Sequence, residues 1–330
     1  MDVPLPQGET TGSLAPEELI GWFGALGEQL FFTEDFHRDE ATGRVLRVRR
    51  RPVPSAGATY PVQLHLRLGG WRLAYDQEHN VVHDLSAVLT TGDQPIDLRP
   101  TAPRVRLTFT VLPGRSFSRY RHRAWTLWIA DVVYAVEGAR YALGGGPLVG
   151  APHDAGPTVL AGEAGLPDSA TWPTSYRELA VQGLDVGRVG PPHVGALKLP
   201  ALRRLPDRRS IPLAVLAADT ESSEKSVDRA PDQQQLLDPV HCSGQRWPAE
   251  WTHMRLFTVP RTTDPMQLRR QLVSVHRQAA QITYTEAEAG RQVRPVSGFT
   301  DVPGRPDRCL HALALQEHHC ADRSPRGDYP

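Results

Sequence analysis

The chain has 330 residues, 40% of them hydrophobic, and 37 Lys+Arg balance 37 Asp+Glu to a formal net charge of zero. That is enough apolar material for a sizeable core, and it gives no global positive field that would draw nucleic acid or an anionic membrane. The cations are almost all arginine, Lys198 and Lys225 being the lysines, and with 30 prolines and 28 glycines the composition reads as a coding bias toward Arg, Ala, Gly and Pro.

The start, MDVPLPQGETTGS, has neither a basic n-region nor an apolar h-region, and no apolar run long enough for a bilayer occurs, so neither export nor a membrane span is expected. Cys242, Cys309 and Cys320 form an odd trio in the last third. They make no disulfide framework, and a reducing cytoplasm fits best.

Ser13-Leu14-Ala15-Pro16-Glu17-Glu18 reads as a capped helix start, followed by Leu19, Ile20, Phe23, Leu26, Leu30 and Phe31 at helical spacing. Glu34 to Gly43 reads as polar loop. Arginine-rich Val45 to Val53 then leads into Ser55-Ala56-Gly57-Ala58. Val62 to Leu68 and Trp71 to Tyr75 alternate apolar and polar across Gly69-Gly70, which predicts a β-hairpin.

Val105 to Leu112 predicts a third strand, and Tyr120 to Leu143 a helix so apolar around its circumference that it must be buried, ended by Gly144-Gly145-Gly146. The stretch Pro147 to Arg209 is rich in Gly and Pro. Ile211 to Ala217 predicts a short strand, and the polar, Gln-rich run Asp219 to Asp238 a linker or disordered segment. Met254 to Val259, Pro265 to Gly290 and Cys309 to Leu315 predict strand, helix and closing strand, with a frayed tail after Ala321. No internal repeat at a period of about 20 to 50 residues is apparent.

The run Arg51-Pro52-Val53-Pro54-Ser55-Ala56-Gly57-Ala58-Thr59-Tyr60-Pro61 resembles the signature of the SagB/McbC-type azoline dehydrogenases, FMN enzymes of the nitroreductase superfamily. The segment Gly70 to Leu85 looks like that family's Gly-x-Tyr-x-Tyr-Asp-x-x-x-His-x-Leu hairpin. Arg115-Ser116 and Arg119-Tyr120, before a long helix with an early Asp131, fall where the family carries an Arg-Ser, a Lys-Tyr pair and a buried helix. The match covers about residues 14 to 165.

The resemblance implies an α+β nitroreductase-like fold, a mainly antiparallel sheet flanked by helices, dimeric or heterodimeric, with FMN near the interface. It implies FMN-dependent oxidation of thiazoline or oxazoline to the azole in a ribosomally synthesised peptide, with a precursor peptide and a cyclodehydratase as partners. Residues 1–218 would form the FMN domain, with 168–209 a possible insertion, 219–238 a linker and 239–330 a C-terminal extension.

The residues themselves suit a flavin. Ser55, Ala56 and Gly57, between Pro54 and Pro61, are small enough for main chain to approach a flat ring and donate hydrogen bonds to its edge. Arg49, Arg50 and Arg51, with Arg123, are candidate phosphate partners, because guanidinium binds phosphate bidentately. Tyr120 matches the family's proton-handling tyrosine, and Arg119 stands where a lysine is usual. Arginine cannot act as a base, but beside it a phenolate is favoured relative to the free value of roughly 10. Tyr120 is therefore expected to accept the proton, with Arg119 supporting it.

The departures are that no Arg-x-Ser-x-Arg segment precedes Arg38, and that Trp125-Thr126 and Val133-Tyr134 replace the family's usual pairs. A small-molecule nitroreductase-like oxidoreductase and a catalytically silent partner subunit are the alternatives. His241-Cys242, Cys309-x-His311 and His318-His319-Cys320 have no finger or ribbon spacing, so no metal is expected. No P-loop, dinucleotide fingerprint or nucleophile elbow occurs. Trp125 and Trp128 are expected in the core.

Overall fold

A computed structural model describes residues 16–39, 42–86, 105–144, 149–167, 177–187, 253–297 and 307–316. The cap at Ser13, the strand over Ile211 to Ala217, the linker over Asp219 to Asp238, Cys242, Cys320 and the tail lie outside them.

Helix α1 (Pro16–Phe31) buries Leu19, Phe23, Leu26 and Leu30 on one stripe, as its spacing dictates. A short ribbon follows, β1 (Phe36–Arg38) paired with β2 (Val45–Arg49), where the sequence suggests loop. β2 is exposed along most of its length, so neither strand has the buried face that would make it legible.

The main sheet has six strands in the order β5-β4-β3-β6-β8-β7, every pair antiparallel. They are β3 (Val62–Leu68), β4 (Trp71–Asp76), β5 (Val81–Asp84), β6 (Val105–Val111), β7 (Val149–His153) and β8 (Leu179–Val186). Leu64 faces Tyr75 on one side and Phe109 on the other, and Leu66 faces Leu73 and Leu107. These residues make one apolar face, which α1 and α3 (Ala124–Ala142) cover. Helix α4 (Pro157–Ala164) lies on the other face, where its Glu163 pairs with Arg106.

Expected as one helix from Tyr120, the central segment is in fact two. Helix α2 (Gly114–Tyr120) ends at Arg121, whose φ of 49° breaks the ladder, and a 3-10 turn (Arg121–Arg123) re-aims the chain into α3. Trp125 is exposed, not core, and Trp128 donates from Nε1 to Ser116 Oγ at 2.6 Å.

β9 (His253–Pro260), α5 (Pro265–Glu288), β10 (Gln292–Ser297) and β11 (Asp307–Gln316) follow, the strands forming a second antiparallel sheet in the order β10-β11-β9. Asp264 caps α5 by accepting from Met266 N at 2.9 Å. Phe257, Val275 and Leu313 belong to the same hydrophobic cluster as Leu26, Phe109 and Val136. Residues 253–316 are thus built into the core, and the stretch expected as an insertion over 168–209 contains an inner strand of the main sheet, β8. α3 is apolar nearly all round because the sheet lies on one side of it and α5 on the other. No described helix is long and apolar enough to cross a membrane.

Candidate functional site

The chain enters the loop over residues 54–60 through buried Pro52, Val53 and Pro54. Ser55 is extended, and a 3-10 turn (Ala56–Ala58) follows with Gly57 at φ 57°. Ala58 (φ 56°) and Tyr60 (φ 45°) also lie in the left-handed region, which side chains rarely adopt and which costs about 1–3 kcal/mol per residue. Something must hold the loop in this shape.

The holder is Asp131, in the second turn of α3. Its carboxylate accepts from Ser55 Oγ at 2.8 Å and from Ala56 N at 3.1 Å, while Ser55 Oγ accepts from Tyr60 N at 2.9 Å. Asp131 is buried. Burial pushes its carboxyl up to about 7, against the downward pull of the Ser55 and Ala56 hydrogen bonds. Sequence reading marks Asp131 only as a landmark of the helix. Its function as an anchor depends on a contact across most of the domain, which no local pattern reveals.

Arg119 and Tyr120 close the other side of the loop. Arg119 donates from Nη1 to Gly57 O at 3.0 Å, with its guanidinium 5.5 Å from the Tyr120 ring centre. A Cβ on Gly57 would overlap the Tyr120 hydroxyl, so only glycine admits the phenol there. The expected phenolate is corrected. Burial raises the Tyr120 phenol above its ordinary value, Arg119 and Arg123 pull it down, and Asp131 pushes it up further. Desolvation wins over the neighbouring cations, so Tyr120 stays protonated at neutral pH and is a donor rather than a resting base.

The three consecutive arginines go to different places. Arg51 is 2% exposed and spends its guanidinium inside the protein, donating to Phe31 O (2.9 Å), Gln77 O (3.0 Å), Gln77 Oε1 (2.7 Å) and Glu78 Oε1 (2.7 Å). It ties the loop to the turn after β4 and is not a phosphate ligand. Arg50 pairs with Asp35 at 2.6 Å, and Arg49 lies over Phe32 and Phe36 while donating to Thr33 O. Arg115 reaches Glu78 at 2.9 Å. Arg119 and Arg123 are the exposed cations beside Tyr120. Of the expected set, Pro54, Ser55, Ala56, Gly57, Arg119, Tyr120 and Arg123 come together; Arg49, Arg50 and Arg51 serve the β1–β2 ribbon and the hairpin.

No family model matches the sequence, and no curated protein sequence matches it. Among solved structures, a provisionally assigned nitroreductase from Anabaena variabilis matches 95% of this chain and 93% of its own at 12% identity and TM-score 0.56. The Escherichia coli microcin synthetase McbBCD complex with truncated pro-MccB17 bound matches at 13% identity and TM-score 0.34, over 58% of this chain and 79% of that one. A second provisionally assigned nitroreductase, from Ralstonia eutropha, matches at 19% identity and TM-score 0.32, over 56% of this chain and 88% of that one. The fold assignment rests on the Anabaena protein. The chain has the nitroreductase-like α+β fold, with five helices and a six-stranded antiparallel main sheet among the described residues.

The donor set fits a flavin mononucleotide in two respects. Gly57 presents exposed main chain without a side chain and Arg119 donates to its carbonyl, while Arg123 acts on Tyr120; both arginines are exposed, and a guanidinium suits a phosphate. Arg50 pairs with Asp35, and Arg51 with Glu78.

Proposed function

We propose that this chain is an FMN-dependent oxidoreductase that dehydrogenates azoline rings, thiazoline or oxazoline, in a ribosomally synthesised peptide. The observation that carries this reading is convergence. Sequence landmarks at residues 51–61, at Arg119-Tyr120 and at Asp131, far apart along the chain, meet around Ser55, Ala56 and Gly57. A precursor peptide and the cyclodehydratase that makes its azolines are the corresponding partners.

When bound, FMN would supply the hydride acceptor for the oxidation. The chain's own residues would do the rest. Asp131 fixes the loop, Gly57 offers main chain to a flat ring, and Arg119 and Arg123 hold phosphate. The ring carbon next to the carbonyl would give its proton to water at the exposed loop, because Tyr120 keeps its own and Arg119 cannot take one, and negative charge would develop on the substrate. The Tyr120 hydroxyl, kept protonated by burial, donates a hydrogen bond to that charge, and Arg119, which cannot lose its proton, adds a fixed positive field.

A second reading, a catalytically silent partner subunit, is favoured by the internal use of Arg50 and Arg51. Incubation of the purified full chain with excess FMN, followed by gel filtration and a visible spectrum, separates the two. Retained flavin colour supports the enzyme, and a colourless protein overturns it. With an azoline peptide, the mass should fall by a pair of hydrogens per ring. Consumption of a nicotinamide donor without peptide would instead indicate a small-molecule reductase.

A further inference from the structure

The strands and helix after residue 253 repeat an arrangement already present in the main sheet. Leaving aside α2, which precedes α3, and α4, which precedes β8, the elements β6, α3, β7 and β8 run strand, helix, strand, strand, and the last strand pairs between the other two, giving β6-β8-β7. β9, α5, β10 and β11 run in the same order and pair the same way, giving β9-β11-β10. All four pairings are antiparallel.

The irregularities also repeat. In β6–β8, Phe109 faces Gln182 and Thr110 faces Ala180, which leaves Val181 as the extra residue of a bulge. In β9–β11, Phe257 faces His311 and Thr258 faces Cys309, which leaves Leu310 extra. The bulge falls between a Phe and a Thr in both first strands, with the surplus residue in both last strands. Pro152 pairs with Leu184 in one unit, and Pro295 pairs with Leu313 in the other. Phe109-Thr110-Val111 and Phe257-Thr258-Val259 are the same tripeptide. A bulge is a specific local device, and its recurrence at a matched position is not a requirement of strand pairing.

Each helix ends at a glycine with positive φ, Gly144 at 83° and Gly290 at 76°. With these superposed, Gly138 falls on Tyr284, and in the structure these two touch: a Cβ on Gly138 would lie 2.8 Å from the Tyr284 hydroxyl. The helices advance together, Ile129 and Val133 against Leu272, Glu137 against Arg277 and Gln281, and Gly138 against Tyr284. A two-fold axis beside a residue brings it against its own counterpart, as seen here.

We propose that residues 253–316 are a second, shortened copy of the unit at residues 105–186, related to it by a pseudo-two-fold axis beside Gly138 and Tyr284, and that α5 takes the place on α3 that a second chain would otherwise fill. The protein is then a monomer with one site. In the same alignment Arg277 stands where Asp131 stands in the first copy, so the second copy lacks the carboxylate that anchors the Ser55 loop.

The test reads mass, not colour, so it stands whether or not flavin binds. Sedimentation of the full chain should give a single 36.5 kDa species, with a melting temperature independent of protein concentration. A stable dimer whose melting temperature rises with concentration overturns the proposal. In a chain whose three cysteines are replaced by serine, Glu137→Cys with Gln281→Cys, placed where the ends of the native side chains lie 3.3 Å apart, should be bridged by a short bis-maleimide without change of monomer mass. A product of doubled mass would mean that α5 on α3 comes from another molecule, and would also overturn it.

Discussion

The carboxylate of Asp131 receives both the hydroxyl of Ser55 and the main-chain N–H of Ala56, at 2.8 and 3.1 Å, and so joins the buried helix to a loop 76 residues earlier. Removing it with Asp131→Ala leaves that N–H and hydroxyl unsatisfied, which costs about 1–3 kcal/mol. The pH dependence carries a sign. With its carboxyl pushed up to about 7, the folded protein keeps a proton that the unfolded chain releases in the ordinary carboxylate range. The group's contribution is fully present below that range and is lost as pH rises through about 7, at roughly 1.4 kcal/mol per pH unit. Asp131→Asn should remove this slope in urea melts taken between about pH 4 and 7. An unchanged slope would show that another group carries it.

Gly57 and Tyr120 compete for one volume. Gly57→Ala places a methyl group on the phenol oxygen and also strains a residue at φ 57°, so it should displace Tyr120 and Arg119 and lower flavin uptake about tenfold. Tyr120→Phe removes the obstructing oxygen. In the double variant the second change should restore part of the uptake, so the two effects fall short of their sum. Strict additivity, measured by flavin titration of the four proteins, would show that the two residues do not share the space.

What the sequence makes legible follows from where its patterns are local. β3 and β4 alternate across Gly69-Gly70, and α5 carries a single stripe, so each is read directly. β8 is not: Leu179-Ala-Val-Gln-Gly-Leu-Asp-Val186 mixes Gln182, Gly183 and Asp185 into an inner strand, and its bulge at Val181 spoils the alternation. The turn at Arg121 has no Gly or Pro to announce it. At the site, the small loop residues and Tyr120 are readable, but the sorting of Arg49, Arg50 and Arg51 depends on Asp35, Gln77 and Glu78, which only the fold brings to them.

That sorting separates two arginines by readout. Arg51→Met strips donors from Phe31 O and Gln77 and should lower stability by about 1–3 kcal/mol in chemical denaturation. Arg119 is exposed, so Arg119→Ala should leave the melt within about 0.5 kcal/mol of the parent while weakening flavin retention. The reverse pattern, a stable Arg51→Met protein that loses flavin, would return Arg51 to the phosphate.

The packing of the second copy predicts sensitivity to acid. His276 and His311 lie against each other in the interior, their ring centres 4.7 Å apart and their planes tilted by 52°. His276 Nδ1 is 2.7 Å from Leu272 O, and His311 sits between the Tyr134 hydroxyl at 2.9 Å and Ser297 Oγ at 3.0 Å. No carboxylate among the described residues bonds either ring. Burial holds His276 down to about 4 and His311 well below its ordinary value, to which His276 adds repulsion. Here the folded state refuses a proton that the unfolded chain accepts below about 6.5, so stability is lost as pH falls from there toward 4, the opposite sense to Asp131. Hydrogen exchange at pH 5 should show α5 and β11 opening before β3 and β4. His311→Gln, which keeps a polar contact for Tyr134 without a titrating group, should reduce that difference; equal opening of both regions at every pH would mean that the histidines do not govern it.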